Sequence, residues 1–270
     1  MTDGLLKVSW SALRMWEECR QKQHLMWTGK GKATDRMLRT YLPGTVADLV
    51  MREWLQSGDP QPGQMVEAVE EVFDRYVSPK TDAQKKDAGV VRWKGDPNKD
   101  KESVKKFVRE LVVKLEPILF DLVVPYDYQP EKSFSVRVNI PGLEGAPTPI
   151  LLRGGIDIVV RPKRFQLWDL KATSDASYVK KVLGQGVFYD LAWGLLFEPP
   201  ESFGFIVPMC AETVVRARIT EEDRTVMMSR VISFAHAQWR GEWYPKVDDV
   251  GCNSWCPVSH ACEKFKAPTF

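Results

Sequence analysis

Gly154-Gly155-Ile156-Asp157-Ile158-Val159-Val160, the break Arg161-Pro162-Lys163-Arg164, and Phe165-Gln166-Leu167-Trp168-Asp169-Leu170-Lys171 form the stretch from which the fold is read. Two runs rich in β-branched and aromatic residues, separated by a short polar segment with a proline, predict a β-hairpin. Paired strands lie about 5 Å apart, so the hairpin can set Asp157 and Asp169 side by side. Two carboxylates that close repel each other unless a cation sits between them, and hard oxygen donors suit Mg²⁺ or Mn²⁺ far better than zinc. Asp169 and Lys171 are two apart on one strand and share a face, while Leu170 points to the core and can offer its carbonyl to the ion. An ammonium there favours the hydroxide form of a nearby water and helps neutralise an attacked phosphate. A hairpin with two solvated aspartates and a stray lysine has the same spacing, so context decides.

Downstream, a long helix is expected over about 174–197. It carries Gln185 and Tyr189, which are four residues apart on one face; alone they read as an ordinary polar helix face. Strands at 203–209 and 213–219 and a helix at about 221–240 follow. Upstream, 134–138 alternates as a strand, 141–149 is turn material and 150–160 is a second strand. A helix over 9–28 has Ser9 or Ser11 as N-cap and carries Cys19. Others are expected at 45–55 after Pro43-Gly44, at 64–76 and at about 101–120. The whole reads as an α/β fold with a mixed central sheet flanked by helices. No internal repeat or low-complexity tract interrupts it.

With 270 residues and 44% hydrophobic content the chain can bury a full core. It is read as one domain over 1–270, with a helical and basic insertion at about 56–125 and a cysteine lobe at about 241–270. Lys+Arg 38 against Asp+Glu 36 leaves a net charge of only +2, so any nucleic-acid contact must come from local patches. The segment 80–114 is such a patch, with 11 basic against 6 acidic residues. Met1-Thr2-Asp3-Gly4 lacks a secretory layout and no apolar stretch approaches bilayer length, so a cytoplasmic protein without membrane contact is expected. The absence of a Walker-type phosphate loop implies no built-in motor.

Five cysteines in such a compartment point to metal ligation in preference to disulfides. Cys252, Cys256 and Cys262 fall within eleven residues, in a loop with Gly251 and Pro257 that can wrap one soft metal centre. The fourth ligand is Cys19 or His260. Three cysteines and a histidine would mean zinc, whereas four cysteines allow zinc or a [4Fe–4S] cluster. Cys210 ends an apolar run and reads as a buried core thiol.

Assembled in order, these residues resemble the RecB-like branch of the PD-(D/E)XK nucleases, in particular the iron–sulfur exonucleases that include CRISPR-associated, phage-encoded and AddB-type members. Ser9-Trp10-Ser11-Ala12-Leu13 through Cys19 is similar to the family's N-terminal cysteine motif, and Gly44-Thr45-Val46-Ala47-Asp48 to its G-x-x-x-H helix. Gly155-Ile156-Asp157, Asp169-Leu170-Lys171 and Gln185-x-x-x-Tyr189 resemble its core motifs, and Cys252, Cys256 and Cys262 its terminal triplet. The resemblance implies a restriction-endonuclease-like sheet whose terminal segments meet at a [4Fe–4S] cluster, with Cys19 as fourth ligand. It implies Mg²⁺- or Mn²⁺-dependent exonucleolytic hydrolysis of DNA in a bacterial cell or phage-infected host. It also leaves room for a homo-oligomer or a recombination- or CRISPR-type partner. Asp48 stands where the family has histidine and Arg20 where it has proline; Glu131, at the start of the first strand, matches a frequently acidic position.

The resulting expectation is one or two ions held by Asp157, Asp169, the Leu170 carbonyl and Asp48, beside Lys171, with Gln185 and Tyr189 holding the strand. Basic residues of 80–114 and Arg161, Lys163 and Arg164 would meet the phosphates. Trp93 or Trp168 would stack bases or, more commonly for such residues, pack. The competing readings are a nuclease-fold DNA-binding or assembly module without chemistry, and a zinc-stapled DNA-binding protein.

Overall fold

The computed structural model describes residues 5–28, 38–78, 93, 96–140, 149–244, 256, 258, 261 and 262. Its elements run β1 (Lys7–Val8), α1 (Trp10–Glu18), α2 (Arg20–Trp27), α3 (Leu38–Gln56), α4 (Gln64–Val77), α5 (Pro97–Leu122), β2 (Asp127–Val138), β3 (Ile150–Arg161), β4 (Gln166–Leu170), α6 (Ser177–Leu196), β5 (Ser202–Ile206), β6 (Val214–Ala217) and α7 (Glu221–Arg240). Among the described residues this is a mixed α/β fold with a six-stranded open sheet of order β1-β3-β4-β5-β6, β2 also pairing with β3. β1 joins β3 in parallel, β3 and β4 form the anticipated antiparallel hairpin, β5 lies parallel to β4, and β6 closes antiparallel to β5.

The chain divides into two compact units, 35–133 with 155–219, and 1–34 with 134–154 and 220–270. In the first, α3, α4 and α5 bury one face of the hairpin. Val46, Val50, Phe73, Val108, Leu111 and Leu115 form one cluster with Ile158, Val160, Trp168 and Leu170. Alternate residues of the same strands, such as Leu167 and Phe203, are fully buried as well. Burial on both faces explains why successive positions are apolar in Ile158-Val159-Val160 and Leu167-Trp168. Glu116, which the sequence does not single out, accepts from the Gly63 and Met65 amides at 3.0 and 3.2 Å, placing a carboxylate at the start of α4.

The second unit holds β1, α1, α2 and α7. Ser9 caps α1 by accepting from the Ala12 amide, as anticipated, and Thr220 and Asp223 form a reciprocal capping box on α7, a feature worth about 1 kcal/mol. Trp16 meets Phe234 edge-on, and Glu17 pairs with Arg230, holding α1 against α7.

Four local expectations change. The helix over 9–28 is two helices, because Cys19 is extended (φ −164°, ψ 113°) and ends α1 while capping α2. The 45–55 helix begins at Leu38 and runs through Pro43, since burial of Leu42 and Val46 outweighs one missing backbone hydrogen bond. Glu131 lies inside the longer β2, not at a strand start, and has φ +52°. Cys210 is only partly buried, in a turn after β5, its thiol 3.4 Å from the Thr173 carbonyl.

Candidate metal and phosphate site

The hairpin register pairs Ile158 with Trp168 and Val159 with Leu167, and its continuation by one residue sets Asp157 opposite Asp169. Directly opposed side chains project from the same face, about 5 Å apart at their β-carbons. The Leu170 amide donates to Asp157 Oδ2 at 2.7 Å, so the strand carrying one aspartate grips the other. Lys171, whose amide bonds the Ile206 carbonyl at 2.9 Å, forms an ion pair with Asp169 Oδ2.

Helix α6 supplies the next contacts. Gln185 Nε2 donates to Asp169 Oδ1 at 2.8 Å and to the Tyr189 hydroxyl at 3.1 Å. The helix can lie this close because residue 186 is glycine: a β-carbon there would fall 2.6 Å from the ring of buried Phe203. On α3, Gly44 lies next to Ala172, whose β-carbon would be 3.4 Å from one added at residue 44; Asp48 follows one turn later. Arg52, a turn beyond Asp48, lies 3.8 Å from its carboxylate and also pairs with Glu131. Sequence reasoning missed this arginine, although the Asp48/Arg52 spacing of four is the usual signature of a helical ion pair.

The electrostatics are those of crowded carboxylates. Asp157 is pushed well above the usual carboxylate range by burial, then by Asp169 and Asp48, against the pull of the Leu170 amide and Lys171. Burial also raises Asp169, with Lys171 opposing, and raises Asp48, with Arg52 opposing. Burial pulls the Lys171 pKa down, but Asp169 and Asp157 outweigh it and the pKa rises. Tyr189 is driven up by burial and by Asp169, so its phenol is protonated at neutral pH.

A divalent ion fits this donor set. Asp169 is 1% exposed, and its Oδ2 has no hydrogen-bond donor among the described residues beyond the Lys171 ion pair. A cation between Asp157 and Asp169 would relieve the repulsion that adds to burial in raising Asp157. Among the described residues no three His, Cys, Asp or Glu side chains already converge as a metal cage. Asp48 thus does not form a ready cage with Asp157 and Asp169, and an ion there would draw on the Leu170 carbonyl and water as well to complete six oxygens.

Trp168 is fully buried against Gly204, where a β-carbon would come within 2.3 Å of its ring, so it packs and does not stack bases. Trp93 is likewise packed on the core, though partly exposed. Arg161, Lys163 and Arg164 are exposed at the hairpin turn, Arg161 lying over Phe165. Residues 80–92, 94 and 95 of the basic segment lie outside the described residues.

In the other unit, Cys262 is buried in a small cluster with Leu25 and Val258, against which Cys256, Met26 and Ala261 pack. Leu25 and Met26 belong to α2, the helix that Cys19 caps through the Lys22 amide. Among the described residues Cys19, Cys256 and Cys262 do not converge as a ready metal-ligating group. Cys252 and His260 lie outside the described residues.

No protein-family model and no curated protein matches the chain. Among solved structures it is similar to one described as the crystal structure of SSO0001, at 12% identity over 73% of this chain and 84% of that one, with a TM-score of 0.37. A likeness that faint carries no functional argument. No helix among the described residues is long and apolar enough to cross a membrane.

Proposed function

We propose that this chain is a Mg²⁺- or Mn²⁺-dependent deoxyribonuclease of the RecB-like PD-(D/E)XK kind, acting on single-stranded DNA or DNA ends in recombination, repair or replication. The observation that supports it best is the buried Asp157–Asp169 pair with Lys171 against Asp169 and Gln185 behind it.

Bound divalent ions would supply Lewis acidity and charge neutralisation for in-line hydrolysis of a phosphodiester. Asp157, Asp169, Asp48 and the Leu170 carbonyl are the groups that would hold them. Lys171 keeps its proton and places a positive charge where nucleophile and phosphate meet. Gln185 fixes the Asp169 carboxylate through its amide and holds the Tyr189 phenol beside it. Arg161, Lys163, Arg164 and the basic residues of 80–114 would track the backbone. Cys19, Cys252, Cys256 and Cys262 would hold a [4Fe–4S] cluster whose role is structural, tying the two ends of the chain together.

The test incubates 5′- and 3′-labelled single-stranded and duplex DNA, linear and circular, with the protein and Mg²⁺ or Mn²⁺. Mononucleotide release from linear substrates is expected. Binding without cleavage under both metals would leave a DNA-binding module without chemistry.

A further inference from the structure

A cavity of about 220 Å³ opens in the unit formed by 1–34, 134–154 and 220–270, where α1 begins. Its polar lining includes Lys7 from β1, Arg153 from β3, Ser9 and Ser11 at the start of α1, and Gln23 from α2. No acidic residue lines it among the described residues. Neither Lys7 nor Arg153 forms an ion pair among the described residues, whereas nearby Arg14, Arg20 and Lys22 are all paired with glutamates. Two uncommitted cations therefore face one concavity whose wall is a helix N-terminus, where backbone amides lack intrahelical acceptors.

Gln23 adds a polar group to the lining. It is 3% exposed, its Oε1 accepts from Gln238 at 3.0 Å, and its own Nε2 has no acceptor among the described residues. The remaining wall is apolar: Met15, Met26 and Trp27, the last 50% exposed although its flat ring adjoins the cavity. Cations, hydroxyls and amides on one side with an indole on the other match a phosphate joined to a base.

We propose that this cavity binds one nucleotide of a single-stranded nucleic acid, its phosphate held by Lys7, Arg153, Gln23 and the start of α1 and its base stacked on Trp27. It is a binding site separate in role from the aspartate pair. The choice of a strand as ligand rests on the nuclease reading; the phosphate chemistry does not.

The test measures fluorescence anisotropy of a labelled short oligothymidylate with the full chain in EDTA, so that cleavage plays no part. The double substitution Lys7→Gln with Arg153→Gln is expected to weaken binding on the order of tenfold or more. It should also flatten the dependence of log K on log salt by about 1.4, the loss of two phosphate contacts on a single strand. Trp27→Ala should cost on the order of tenfold, and Lys7→Arg with Arg153→Lys should restore the parent's salt slope. Thymidine monophosphate as competitor distinguishes a free nucleotide: a loss confined to it overturns the strand assignment. Parent-like affinity and slope in the double variant, with an unchanged melting curve, overturn the proposal. DNA binding that depends on these residues, in a protein that cleaves nothing with Mn²⁺, would refute the nuclease reading while this site stands.

Discussion

The Leu170 amide lies 2.7 Å from Asp157 Oδ2, which fastens the carboxylate of one strand to the backbone of the strand bearing the other. Asp157 is thus held in place by a group that Asp169 cannot move without distorting β4. A mutation that keeps this acceptor while removing the charge separates positioning from electrostatics.

Asp157→Asn is that mutation. The folded protein holds the Asp157 pKa well above its ordinary value, so its neutral form is favoured by folding; that contribution is present at low pH and lost as pH rises through the folded value. The stability difference between variant and parent in EDTA should accordingly be near zero at about pH 4 and grow towards neutral pH. The variant should then melt a few degrees higher, about 2–4 °C for each kcal/mol. Added Mn²⁺ should raise the parent's melting temperature and not the variant's. Thermal denaturation over a pH series measures both; a variant less stable than the parent at pH 8 would contradict the charge crowding.

Gly186→Val tests the seating of α6. Its side chain meets the Phe203 ring, and overpacking of this kind costs about 1–3 kcal/mol. Because Gln185 is displaced with the helix, the cleavage rate should fall further than the residual folded fraction explains. Urea denaturation alongside a cleavage assay separates the two. A fully active, destabilised Gly186→Val would show that Gln185 does not matter to Asp169.

Asp48 holds the position where the resembled family has histidine, and it is steadied by Arg52. Asp48→His should retain cleavage and shift the preference from Mg²⁺ towards Mn²⁺, since imidazole suits the softer ion. Asp48→Ala should raise the metal requirement about 10–100-fold, the effect typical of weakened metal surroundings. Metal titrations of the cleavage rate would show either; an alanine variant with the parent's titration would remove Asp48 from the ligand set.

Cys19→Ser, Cys256→Ser and Cys262→Ser should each abolish the broad absorbance near 400 nm expected of anaerobically purified parent and lower its melting temperature. Iron and sulfide analysis decides between an iron–sulfur cluster and zinc: colourless, zinc-loaded parent would overturn the cluster. Apolar packing of Cys256 and Cys262 against α2 is the reason that loss of the centre should loosen this unit.

The hairpin could be read from the chain because an apolar run, Ile156 to Val160, broken only by Asp157, permits few structures once a proline turn and a second apolar run follow. Asp169 and Lys171 were placed on one face by the two-residue period alone. What escaped was set by tertiary forces. The Trp10, Leu13 and Trp16 pattern continues smoothly towards Cys19 and gives no sign that the backbone breaks there to cap a second helix. Pro43 reads as a boundary in local terms, yet buried Leu42 carries the helix through it. The Glu131 backbone at φ +52° and its pairing with Arg52 depend on a partner 79 residues away, which no local period reports.

The central claim is that Asp157 and Asp169 share a divalent ion beside Lys171. Its most direct test is Mn²⁺ binding followed by electron paramagnetic resonance in the parent, Asp157→Asn, Asp169→Asn and Lys171→Ala, with DNA cleavage measured on the same samples. The account predicts that both asparagine variants lose Mn²⁺ binding and cleavage together. Lys171→Ala should keep the metal and lose about 10²–10³-fold in rate. Mn²⁺ binding and cleavage that survive in Asp157→Asn and Asp169→Asn would contradict it.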